Sequence, residues 1–367
     1  MAEKPLVTEY QKGIDMVAKN GRLYGIEDSN RQGLDLFGKN QFNSTYPLSL
    51  AGYMKDKNIF PVSIEINSNL DIEITDDKIS FHEIFGAKNQ SNEFRYDFES
   101  QYLPYKSMVL DNLEKLDVVI SLDEHPMCPL ENKLTVLPDS ATCEKDESEW
   151  GVELVIRPNS IAYACFAAYY KLKDHKKDVL KILIPVAENI DDWTNEAEVL
   201  KNKDAIINCL EALMSNYSGY QCPLILNTVW KTQGKSPNLA RNAFDIFVWS
   251  NFALLKLAVD QAKNSSKMTR YLRSCAKAVR VLYDLFSKGF LNYSRTFTQM
   301  SFGFQTDKEF SLAGNVTHRY MKHPRLVTPM LLDEVAGEIM LDGAADMLSP
   351  ERRFDATIFF TARNLFK

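Results

Sequence analysis

Residues 116–137 read LDVVISLDEHPMCPLENKLTVL. Two apolar runs, Leu116–Leu122 and Leu130–Leu137, flank a turn-like segment, 123–129, with two prolines. Short apolar runs rich in β-branched residues and bounded by Pro and Asp predict strands. Each run carries charge in its interior: Asp117 in the first, Glu131 and Lys133 in the second. A charge inside an apolar strand costs free energy unless it has a partner or a task. Side chains alternate across a strand, so Glu131 and Lys133 share a face. Asp117 lies fourteen positions before Glu131. Pairing of the two runs as a hairpin brings the two carboxylates together at one end of a sheet, with the lysine beside them.

That trio has a recognisable chemistry. Two carboxylates offer oxygen ligands to Mg²⁺, with Mn²⁺ as a substitute. The cation stabilises charge developing on a phosphate and lowers the pKa of a bound water. Lys133 orients or activates that water and offsets negative charge in the transition state. The triplet alone is a weak signal, because three (D/E)xK triplets occur: Asp76–Lys78, Glu131–Lys133 and Asp174–Lys176. The first sits in a polar turn and the last at a predicted helix end, so both read as surface. Glu99 is a candidate third carboxylate from a nearby helix, or a surface acid. Glu153, inside WGVELVI, is a competing embedded acid with no lysine two residues on.

The elements around this block predict an α/β fold, a mixed central sheet flanked by helices. Tyr46–Lys55 reads as a short helix. Phe60–Ile66 and Leu70–Ile74 read as strands about an Asn67-Ser68-Asn69 turn, and Tyr105–Leu116 as helix. Trp150–Ile156 is a third candidate strand. Ile161–Lys173 is a helix capped by Asn159 or Ser160, and Val179–Val186 reads as a buried strand. Residues 236–290 read as mainly helical, and the tail from 300 as loop-rich. No linker marks a boundary. The reading is one domain over 1–367, with a catalytic core at about 60–190 and a helical elaboration for DNA binding or dimerisation at about 205–367.

The chain has 367 residues, a formal net charge of −6 and 45% hydrophobic residues, the profile of a soluble globular protein. No run spans a membrane, and the start lacks an apolar signal core, so a cytoplasmic protein is expected. Six scattered cysteines form no CxxC pair, which disfavours a disulfide framework or a zinc site. No phosphate loop, GxGxxG, HExxH or GxSxG pattern occurs. Within this acidic chain, residues 262–290 hold seven Lys/Arg against one acid. Lys263, Lys267, Arg270, Arg273, Lys277 and Arg280 recur at helical spacing, giving a basic stripe for DNA phosphates or a solvated helix face. A second cluster, Arg319, Lys322 and Arg325 with His318 and His323, could reach guanines in the major groove.

Four blocks carry a family resemblance: GKNQFNSTYPLSLAGYM (38–54), LENKLTVLPDSATC (130–143), WGVELVIRPNSIAYAC (150–165) and LSPERRFDA (348–356). They are similar to the HindVP family of type II restriction endonucleases, and the likeness runs from about residue 23 to 360. It implies a restriction-endonuclease-like PD-(D/E)xK core with a Mg²⁺ site, the motif falling on Asp117, Glu131 and Lys133. It also implies cleavage of duplex DNA at a short palindrome, GRCGYC, by a homodimer with one active site per strand. A cognate DNA methyltransferase is implied as a functional companion, not a bound subunit. Leu116 stands where the family signature has proline. Two other functions compete: a structure-specific repair or recombination nuclease, and a non-catalytic DNA-binding module.

Overall fold

The computed structural model describes residues 22–23, 26–28, 61–75, 94–122, 125–138, 154–232, 239–312 and 320. Among these, the strands are β1 (Arg22–Leu23), β2 (Ile26–Asp28), β3 (Val62–Ile66), β4 (Ile72–Thr75), β5 (Phe94–Ser100), β6 (Leu116–Leu122), β7 (His125–Pro138), β8 (Leu154–Ile156), β9 (Pro223–Thr232), β10 (Leu239–Ser250) and β11 (Phe310–Leu312). The helices are α1 (Pro158–Leu172), α2 (Lys176–Ala187), α3 (Glu196–Lys201), α4 (Lys203–Asn216), α5 (Asn251–Ala262), α6 (Arg270–Lys288) and α7 (Tyr293–Gln299). Nine strands form one mixed sheet in the order β1-β2-β5-β6-β7-β9-β10-β3-β4, and β8 pairs with β11 apart from it.

The expected β6–β7 hairpin is present, and β7 continues well beyond it. Val118 pairs antiparallel with Leu130, and Leu122 with His125. From Glu131 onward β7 leaves β6 and runs parallel to β9, with Glu131 opposite Ile225 and Lys133 opposite Asn227. One strand thus serves two neighbours, and the charged triplet begins where it changes partner. This explains the two prolines of segment 123–129, of which residues 125–129 are strand rather than turn. Pairing to β9 begins only at Glu131, so Pro126 and Pro129 lie on a stretch with one free side, where a missing N–H is tolerated.

A helical layer covers the sheet. Helices α1 and α5 are apolar on nearly all sides, with Ile161–Ala168 and Phe252–Val259 buried. They meet the sheet at β3, β9 and β10 and pack on α6. Helix α6 starts at Thr269, whose hydroxyl accepts from Leu272 N–H at 3.2 Å. It ends at Gly289, whose φ of 88° permits the left-handed residue that closes the last turn onto Leu285.

Several expected elements differ. Val179–Val186 belongs to helix α2, not a strand: Val179, Leu183 and Val186 are buried while Lys181 and Pro185 are exposed, a 3.6-residue rhythm. The run FDIFVWSNFALLKLAVDQAK splits at Ser250. Its first part is β10, and the Ser250 hydroxyl then caps α5 by accepting from Ala253 N–H at 3.0 Å. Residues 236–290 are therefore not all helical, and the second half of the chain is more than a helical elaboration, because β9 and β10 sit inside the main sheet.

Tyr105–Leu116 holds only a 3-10 turn, Leu103–Met108. Backbone groups a helix would use are spent on Leu291, whose carbonyl accepts from Leu110 N–H at 2.9 Å and whose N–H donates to Met108 O at 2.8 Å. Helix α1 begins at Pro158, so Asn159 and Ser160 lie inside it, and Arg157 precedes it without a side-chain cap. Tyr46–Lys55, Glu153, Asp76–Lys78, Arg319, Lys322 and Arg325 lie outside the described residues. Among the described residues, no helix is long and apolar enough to cross a membrane.

Candidate active site

Strands β6 and β7 part just past Val118 and Leu130. The register continues the pairing to Asp117 and Glu131, but the backbones have begun to splay. The Asp117 carboxylate fills the opening, its Oδ2 accepting from the Asn132 N–H at 2.8 Å. Asp117 is thereby held beside the triplet from the neighbouring strand. Glu131 and Lys133 share a face as alternation requires, and Lys133 Nζ donates to Glu131 Oε1 at 2.7 Å. The Asn227 side chain of β9 donates to Lys133 O at 3.1 Å, tying the lysine backbone to its parallel partner. The trio lies where the β6–β7 pairing ends and the β7–β9 pairing begins. The Glu131 and Lys133 side chains are 4% and 13% exposed, and Asp117 is half-buried. Glu114 and Lys115, just before β6, are both exposed.

Two further elements close on Glu131. From α1, Asn159 Nδ2 donates to Glu131 Oε2 at 3.5 Å and to Lys115 O at 3.2 Å. One turn later, the Tyr163 hydroxyl donates to Glu114 O at 2.8 Å. Burial pushes the Tyr163 phenol well up, and the nearby carboxylates of Glu131 and Glu114 add to the rise. Burial does the same to Tyr293 of α7, with Glu114, Glu309, Asp111 and Glu131 contributing. Both phenols stay protonated at neutral pH. By sequence alone Asn159 is a candidate helix cap. The signal for more was Pro158: a proline favours the first helical position, which leaves the next residue inside the helix with its amide available to neighbours.

Glu99 stands in β5, not in a helix. Phe98 pairs with Val118 and Ser100 with Leu116, so the Glu99 backbone lies across from Asp117. Among the described residues, no cluster of three or more His, Cys, Asp or Glu side chains could hold a metal ion. Two hard carboxylates on adjacent strands still suit a Mg²⁺-like cation, which usually takes one or two carboxylates and keeps several waters.

Comparison with known proteins names the family. The chain matches the family described as HindVP restriction endonuclease over residues 37–366. It is 33% identical over 345 residues to the type II restriction enzyme HgiDI of Herpetosiphon aurantiacus, covering 92% of this chain and 95% of that one. It is 31% identical over 353 residues to the probable type II restriction enzyme HindVP of Haemophilus influenzae, covering 94% and 95%. The chain belongs to the HindVP restriction endonuclease family. It is an enzyme of that class, a site-specific deoxyribonuclease. No solved structure matches it.

In this endonuclease the basic stripe is not the face that its spacing suggests. Arg273 and Lys277 are fully buried. Glu309 accepts from Lys277 Nζ at 2.6 Å and pairs with Arg273 Nε at 3.2 Å. Arg273 also donates to Gln305, Lys308 and Glu309 carbonyls, at 3.1, 2.6 and 3.1 Å. Side chains with no accessible area cannot touch DNA phosphates, so these two leave the stripe and instead clamp residues 301–309 onto α6. Arg270 donates to Lys308 O at 2.5 Å. Arg280 is 27% exposed and paired with Asp284 at 3.0 Å, and Lys267 is exposed.

Proposed function

We propose that this enzyme is a type II restriction endonuclease whose catalytic centre is Asp117, Glu131 and Lys133. The reading rests on one observation above all: at the β6–β7 junction, Asp117 meets the Asn132 N–H while Lys133 pairs with Glu131. Asp117 and Glu131 would hold the Mg²⁺ ion, with Mn²⁺ as a substitute and Glu99 as a candidate third ligand. When bound, the cation supplies Lewis-acid stabilisation of charge building on the scissile phosphate. Lys133 holds its ammonium beside that phosphate, orients the attacking water and offsets the extra negative charge. Burial of the Glu131–Lys133 pair keeps these charges effective, since attraction between them strengthens as water is excluded.

The finer expectations follow from family membership. The substrate is double-stranded DNA, the target a short palindrome expected to be GRCGYC, and the working unit a homodimer with one centre per strand. The chain acts as a single endonuclease domain. A companion methyltransferase protects the host DNA, and the enzyme works in a prokaryotic cytoplasm.

Digestion of phage DNA with Mg²⁺ or with EDTA, followed by sequencing of the fragment ends, tests the activity, its metal dependence and its target together. Mg²⁺-dependent ends within one palindromic motif support the reading. Smearing or dependence on branched structure points to a repair nuclease, and binding without cutting points to a binding module.

A further inference from the structure

We infer that Asn159 is a positioning residue that fixes the rotation of the Glu131 carboxylate and its spacing from the strand bearing Asp117. The inference rests on the reading of Glu131 as a catalytic carboxylate. Asn159 is the second residue of α1, behind Pro158. Its Oδ1 accepts from the Ser160 N–H at 2.9 Å, one of the first-turn donors that a helix leaves without an internal partner. That bond settles which end of the amide is which. The Nδ2 end must face the other way, and both atoms it meets are acceptors, Lys115 O at 3.2 Å and Glu131 Oε2 at 3.5 Å. Lys115 immediately precedes β6 and stands two residues before Asp117. One side chain therefore joins the lead-in of β6, the stretch of β7 that carries Glu131 and the start of α1, where β6 and β7 have stopped pairing with each other.

The residue type matters as much as the place. Lys133 holds Glu131 Oε1 at 2.7 Å, so the carboxylate is gripped at both oxygens, by a cation on one side and a neutral amide on the other. A second cation in place of Asn159 would compete with a divalent metal for Glu131. An acid there would repel Glu131. A neutral donor orients the carboxylate and leaves its charge available. Residues that orient metal ligands in this way commonly change metal affinity or activity about 10–100-fold when removed.

The test uses the full-length protein with Asn159→Ala, Asn159→Asp and Glu131→Gln. Asn159→Asp keeps the acceptor for Ser160 and suits a helix N-terminus, so it removes the donor while preserving the fold. The readouts are kcat and KM on a cleavable duplex across pH, Mn²⁺ binding by electron paramagnetic resonance, and thermal midpoint. Asn159→Ala should lower kcat about 10–100-fold with KM nearly unchanged, and should weaken Mn²⁺ binding. Asn159→Asp should move the acid limb of the kcat profile to higher pH, because facing carboxylates retain a shared proton. Both variants should melt close to wild type. Wild-type kcat and Mn²⁺ affinity in Asn159→Ala would overturn the inference. So would losses in both variants that merely follow a collapsed thermal midpoint. Full turnover in Glu131→Gln would overturn the catalytic reading and the inference with it, whereas an inactive Glu131→Gln beside normal Asn159 variants would overturn the inference alone.

Discussion

Among the described residues, two buried lysine–glutamate pairs have nearly the same contact and opposite character. Lys133 meets Glu131 at 2.7 Å, and Lys277 meets Glu309 at 2.6 Å. Around Glu309 everything is enclosed. Lys277, Arg273 and the Ser274 hydroxyl at 3.0 Å converge on one carboxylate, the Lys277 ammonium lies over the Phe297 ring, and the paired side chains are 0% exposed. Around Glu131 the lysine keeps 13% exposure, and the donors are one cation and one amide. A carboxylate can accept at about four sites; Glu131 has two donors beside a lysine that reaches solvent and so retains capacity for a ligand, while Glu309 has three donors and no exposure and is committed to the fold. The difference teaches that an ion pair's distance does not reveal its use. The number of donors and access to solvent do.

That contrast can be broken most decisively at the first pair. Glu131→Ala or Lys133→Ala should cut turnover by at least about 10²–10³-fold and leave specific DNA binding largely intact. Filter binding beside single-turnover cleavage measures both, and normal turnover in either variant removes the site assignment. At the second pair the loss should appear in stability instead. Glu309→Ala strands two buried cations and should destabilise by about 3–5 kcal/mol in denaturant unfolding, whereas an apolar replacement of the whole cluster should recover much of that. A Glu309→Ala protein as stable as wild type would show the clamp to be inert.

The pairs also separate by pH. Burial, outweighing Glu309, brings the Lys277 ammonium down to about 8 from an ordinary value of 10.5. Between those values the unfolded chain binds the Lys277 proton more tightly than the folded one, so this group makes stability rise with pH across about 8 to 10.5. Buried phenols such as Tyr102 and Tyr163, held above the ordinary tyrosine range, act oppositely at the alkaline end. The informative quantity is therefore wild type minus Lys277→Met, which should grow in favour of wild type across that window; a constant gap would contradict it. The smallest effect belongs to the outer cations. Lys267→Ala and Arg280→Ala should each lower the salt dependence of DNA binding by about one unit of slope. Arg273→Ala should act on binding only through the fold. Unchanged slopes in the first two would return that face to plain solvated surface.

Much of the candidate site's geometry was legible in the sequence because strand physics is local. Alternation alone put Glu131 and Lys133 on one face, and the embedded Asp117 marked the partner strand. The basic stripe misled because helical spacing gives a face but not its neighbour. Glu309 lies 32 residues beyond Lys277, and nothing in residues 262–290 announces it. Val179–Val186 looked like a strand because a short apolar run lacks the length to display its period. Residues 244–263 merged strand and helix because both halves are buried, and only Ser250 punctuates them. Asn159 was visible as a polar residue at a helix start, but its orientation depends on Lys115, far back in the chain.

The change of partner along β7 also sets an order for biosynthesis. The ribosome delivers β6 and the first half of β7 together, so the hairpin can form early. The half carrying Glu131 and Lys133 must wait for β9, which begins at Pro223, about ninety residues later. An emerging chain shorter than that carries its carboxylates and lysine but lacks β9 and the Asn227 bond to Lys133 O. On the proposed reading of the site, the catalytic strand gains its second neighbour only after more than half of the chain has been made.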